Sequence, residues 1–149
     1  MEPQSQVSEV AHVIQLSVAP VFLMAGIGGL LGVLTNRLGR IIDRARLIEE
    51  KLGQGTPQER EAGQARLLVF SKRARLVNYA ITLCTACASM VCLVIICLFG
   101  GALLSVDLAA LISLLFVAAM LSLFSALICF LGEIRLATRS LRIGATTKG

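Results

Sequence analysis

Apolar positions along this chain fall into three long runs, separated and followed by polar, mostly basic stretches. No Asp, Glu, Lys or Arg occurs between Val10 and Asn36, and His12 is the one titratable side chain there. Leu76 to Val106 is free of charge for 31 residues, and Leu108 to Gly132 for another 25. A helix of about 20 apolar residues crosses a hydrocarbon core of about 30 Å. The runs therefore predict three transmembrane helices, at 13–34, 77–98 and 108–131. A barrel would need short alternating strands, and the runs do not alternate. The expected fold is an all-α membrane protein with segment 1–12 ahead of the first span, a helical hairpin at 35–76, a connector at 99–107 and a basic tail at 132–149.

The apolar pattern does not stop where the first run ends. Leu34, Leu38, Ile41, Ala45, Ile48 and Leu52 are spaced alternately four and three apart, the a/d seam of a coiled coil. Arg37, Arg44 and Lys51 form the other face, with Asn36, Asp43 and Glu50 beside them. Gly53 suits the position after a helix end. Thr56, Pro57 and Glu59 then form a capping box with proline at the first helical position. From Pro57 a basic helix is expected to run through Leu67 and Phe70 into the second span. The seam needs a cover, which the second arm, a second copy of the chain or lipid would supply. Ile42 and Leu47 also allow the first arm to lie along a membrane surface.

Charge orients this arrangement. All 14 Lys and Arg residues lie in two places, ten from Arg37 to Arg75 and four from Arg135 to Lys148. The segment before the first span and the short connector have none. By the positive-inside rule the N terminus is outside, and the hairpin and C terminus are cytoplasmic. Tyr79 and Phe99 are the expected interfacial anchors. Glu2 and Glu9 precede the first span without any base, unlike the n-region of a cleaved signal peptide, so the first run is expected to be retained. Arg37, Arg75 and Glu133 each flank a span on the same side. A carboxylate at that depth is costly unless paired, and Glu133 is expected to pair with Arg37 or Arg75.

Small residues suggest where helices approach. Ala25, Gly28, Gly29 and Gly32 make a side-chain-poor surface with a G-x-x-x-G step, the kind at which helices pack closely in lipid. A nucleotide loop would need a strand and a lysine that are absent. The second span offers Cys84, Ala88 and Cys92, and the third Ala118, Ser122 and Ala126. Cys84 and Cys87 have the spacing of a redox or metal pair, but inside a span they are expected to be packing residues. Pro20 lacks an amide hydrogen, so it either sits in the first turn of its helix or bends it.

The stretch from Ser17-Val18-Ala19-Pro20 to Gly28, the stretch from Leu34-Thr35-Asn36-Arg37 to Arg46, and the closing Glu133-Ile134-Arg135-Leu136 resemble a family of small bacterial membrane proteins catalogued as a domain of unknown function. The resemblance covers about residues 10–143. It implies a multi-pass protein of the bacterial inner membrane and assigns no activity, cofactor or functional residue.

Function is constrained mainly by what the spans lack. They contain no Asp, Glu, Lys, Arg or intramembrane His pair for chemistry, and His12 and Asp107 stand alone. No enzyme, metal or cofactor is expected, and three spans do not divide into the equal halves of a carrier. The basic residues lie where topology requires them, without a nucleic-acid recognition motif. The expectation is a homo-oligomeric scaffold or regulatory subunit whose basic surface meets anionic lipid headgroups. The alternative is an anion-favouring channel, with Ser17, the Gly28/Gly32 face, Asn36, Arg37, Arg44 and Lys51 around its axis and small anions as its cargo.

Overall fold

The computed structural model describes residues 3–53, 57–104 and 106–143. They form three helices, α1 (Pro3–Leu52), α2 (Pro57–Leu104) and α3 (Ala109–Ile143). Each is long and apolar enough to cross a membrane. The capping residue expected at Thr56 lies outside the described residues.

Both α1 and α2 continue without a break from an apolar span into a basic segment. Pro20 is buried within α1, which runs on through it. The connector expected at 99–107 is shorter, because α2 remains helical to Leu104 despite Gly100 and Gly101. Its end is closed by the Val106 N–H, which donates to the Gly101 carbonyl at 3.2 Å, the bond that ties off a helix end from five residues further on. The next helix starts at once. Asp107 Oδ1 accepts from the Ala109 N–H at 3.0 Å, so this acid caps a free amide at the N terminus of α3.

One periodicity governs which positions are covered. On α1 the buried or half-buried residues run from Val13 through Ser17, Pro20, Met24, Ile27 and Leu31 into the Leu34–Leu52 seam, always four or three apart. From Leu108, just ahead of α3, the covered series continues on that helix through Ile112, Leu115, Ala119, Ser122, Ala126, Cys129, Glu133 and Leu136. On α2 the same spacing joins Arg73, Val77, Ala80, Cys84, Cys87, Val91 and Val94. A period of 3.5 is that of helices packed side by side with interlocking side chains. It departs from the four-residue step expected on α2, where Cys92 is exposed while Cys87 and Val91 are buried, whereas Ser122 and Ala126 expected on α3 are covered.

The chain divides into two compact units. The first, Met1–Leu31 with Leu83–Phe124, has Ile27, Cys84, Cys87, Val91, Val94 and Ala119 as its core. Small side chains there let backbones come close, and packing is what holds helices together in lipid. The Ser122 hydroxyl donates to the Leu83 carbonyl at 2.8 Å and ties α3 to α2. All five cysteines are free thiols.

The second unit, Gly32–Thr82 with Ser125–Gly149, has Leu34, Ile41, Val77, Ala80, Ala126 and Glu133 at its centre. Here the Leu34–Leu52 seam is covered by the second arm. Leu52 lies so close to Gly63 that a methyl group on the glycine would stand 2.5 Å from Leu52 Cδ2. Any larger residue at 63 would require the Leu52 side chain to move.

Candidate functional site

The second unit contains a buried acid. Glu133 is the first charge after the third apolar run, and it occupies a covered position on α3, with a relative exposure of 0%. An isolated carboxylate there would lose most of its hydration energy, so it must be paired. Two arginines from different helices do this. Arg73 donates from both Nε and Nη2 to Glu133 Oε1, at 3.1 and 2.8 Å. Arg37 Nη2 stands 3.4 Å from Oε2. That separation is an ion pair, but its alignment makes no hydrogen bond, and Oε2 accepts none from any described group. The carboxylate is thus held firmly on one oxygen and by charge alone on the other.

Aromatic rings complete the setting. The Arg37 guanidinium lies over the Phe130 ring at 5.3 Å, and the Arg73 guanidinium over the Phe70 ring at 5.7 Å. Such stacking attracts a cation to the face of the ring and holds the planar group in place. Arg73 keeps 12% of its side chain exposed and Arg37 keeps 33%, so one face of the cluster remains open. Three helices therefore meet at a single carboxylate.

Arg75 is not the second partner. It is exposed, and Arg73 takes the place expected for it. The reason is rotational phase. Both arginines lie at nearly the same height, but Arg73 is four residues before the buried Val77, on the covered side of α2. Arg75 is two residues further round, where a helix shows a different face. Extending the α2 stripe back by one step would have singled out Arg73. Phe70, Phe130 and Arg40 carried no signal in spacing alone.

The other residues singled out from the sequence fall on different surfaces. Ser17 is 7% exposed and donates to the Val13 carbonyl at 2.8 Å. Ala25, Gly28, Gly29 and Gly32 are exposed, and a methyl group built on any of the three glycines meets nothing within 4 Å. Asn36, Arg44 and Lys51 are exposed as well. The set suggested for a pore axis is thereby divided: Ser17 is closed off inside its own unit and Arg37 is engaged with Glu133. Among the described residues no group of His, Cys, Asp or Glu is placed to hold a metal ion.

Three membrane-length apolar helices with a charged cluster at the end of each run define a multi-pass membrane protein. The chain belongs to the family described as protein of unknown function (DUF2721), which it matches over residues 17–143. No curated protein and no solved structure matches it.

Proposed function

We propose that the protein is a non-catalytic scaffold or regulatory subunit of the bacterial inner membrane, assembled from copies of itself through the small-residue face of α1. Its N terminus is outside, and its basic helical arms and C terminus are cytoplasmic, where the distribution of Lys and Arg directs them. The observation that carries this reading is the exposed surface of Ala25, Gly28, Gly29 and Gly32, where among the described residues nothing lies within 4 Å of a methyl group built on any of the three glycines. The most apolar stretches of the three helices are only 17, 17 and 11% buried, so most of their area faces lipid or a second copy. Where two such surfaces meet, backbones approach closely and gain dispersion contacts that lipid tails do not match.

The test is the mass of the nanodisc-embedded particle for the wild type and for Gly28→Leu/Gly32→Leu. Neither glycine touches another part of the chain, so the variant keeps its own fold. A wild-type oligomer that becomes monomeric in the variant supports the proposal. A monomeric wild type across mild conditions overturns it. Nothing favours the channel over this reading, because Ser17 and Arg37 are occupied within the chain.

A further inference from the structure

Beside the Glu133 cluster lies a cavity of about 160 Å³, lined by Arg37, Arg40 and Arg44 of α1, by Arg73 of α2, and by Ile41 and Phe70. Four arginines thus contribute to the lining of one small space. Glu133 offsets one of their charges, shared between Arg37 and Arg73, so four positive charges less one negative leaves three. Among the described residues no acid pairs with Arg40 or Arg44. Those two also stand one helical turn apart on α1, where like charges repel. An anion entering the cavity would relieve this repulsion.

Size and shape narrow the choice of anion. Sites for drug-sized ligands are about 300–1,000 Å³, so this cavity admits a compact group and not a whole nucleotide. Arginine's planar fork matches the oxygens of phosphate and binds them in pairs. The cavity also lies where the apolar runs end. Arg37 is the first Lys or Arg after the first run, Arg73 lies three residues before the second, and Glu133 is the first charge after the third. That is the depth of phospholipid phosphates.

We propose that this cavity is a binding site for a phosphate group, carried by an anionic phospholipid or by a soluble phosphate ester. All its walls come from one chain, so the site does not depend on assembly. Arg40 and Arg44 grip the phosphate, while Glu133 holds Arg73 and Arg37 in position behind it.

The test uses the full chain with two kinds of probe. Retention of phosphatidylglycerol against phosphatidylcholine is measured by native mass spectrometry of the detergent-solubilised protein. Glycerol 3-phosphate is titrated calorimetrically into protein held in phosphatidylcholine nanodiscs. Arg40→Gln/Arg44→Gln should weaken whichever probe binds by about thirtyfold, two charges at a membrane surface. Arg46→Gln/Lys51→Gln removes the same charge from the same helix outside the cavity and should change binding less than threefold, about half of a tenfold step in free energy. Selective phosphatidylglycerol retention identifies a lipid source, and glycerol 3-phosphate binding a soluble one. If the wild type binds neither, or if both double variants lose affinity equally, the site does not exist.

Discussion

At the scale of single residues, the three charges of the cluster, Glu133, Arg37 and Arg73, are unequal. Removing one partner of a buried ion pair leaves the other charge stranded, with a penalty on the order of 3–5 kcal/mol. Glu133→Ala strands two arginines at once and should lower the unfolding temperature in a fixed detergent more than any other single change in the cluster. Glu133→Leu/Arg73→Leu should be more stable than Glu133→Ala alone, since an apolar pair carries no desolvation penalty. Arg73→Lys keeps the charge but loses the fork that places Nε and Nη2 on one oxygen, so it should destabilise clearly. The same change at the exposed Arg75 should stay within about 0.5 kcal/mol. Equal losses at 73 and 75 would show that the carboxylate has a different partner. The pairing of Glu133 itself could be anticipated, because any acid at that depth needs a base. Which base it takes could not, because two arginines lie within one turn and only their rotational phase separates them.

For whole elements, continuity and termination matter most. Gly100 and Gly101 read as a connector, yet α2 passes through both, since an apolar environment leaves a backbone no partner but itself. The real stop is made by the closing bond at Val106 and the cap at Asp107. Asp107→Ala should cost about 1 kcal/mol and Asp107→Asn much less, measured as a difference in unfolding free energy in detergent. A loss that asparagine does not rescue would point to a role for the charge instead of the cap. An acid just ahead of an apolar run is a capping signal in any sequence, so this role was legible at Asp107. The four-residue step on α2 departs from the structure at Cys92, which is exposed, while Ser122 and Ala126 on α3 are covered: side-by-side helices keep their seam at 3.5 residues, and over several turns a four-residue step diverges from it.

For the molecule as a whole, the second arm is the one of the three possible covers that the structure places on the Leu34–Leu52 seam. Leu34 and Ile41 are buried inside the chain's own second unit, while Leu38, Ala45, Ile48 and Leu52 are half-buried, so the second arm covers much of the seam. Ile41→Asp/Ile48→Asp should therefore unfold the basic helical arms, seen as a loss of protease resistance between 35 and 76, without separating protomers. Separation of intact protomers would return the seam to an interface role. Orientation is tested by labelling single cysteines in a cysteine-free background. A cysteine at 54 should react only after the membrane is opened, and one at 105 should react from outside. The reverse pattern would overturn the assigned topology.

The number of membrane-length apolar helices was determined locally, and so was the separation of the basic residues from them. Each helix satisfies its own backbone, so a run of apolar residues needs no partner to declare itself, and basic residues are sorted by the membrane without reference to the fold. The resemblance carried by Ser17–Gly28 and Leu34–Arg46 agrees with the family to which residues 17–143 belong. Tertiary structure decided the remaining questions. Whether the second arm covers the seam, which arginine meets Glu133, and that four arginines of two helices line one cavity all depend on side-chain direction and on packing between segments far apart in sequence, 60 residues for Arg73 and Glu133. Spacing places a residue on a helix at a given height. Only the packed partner determines the angle from which it is approached, and that angle selected Arg73 over Arg75.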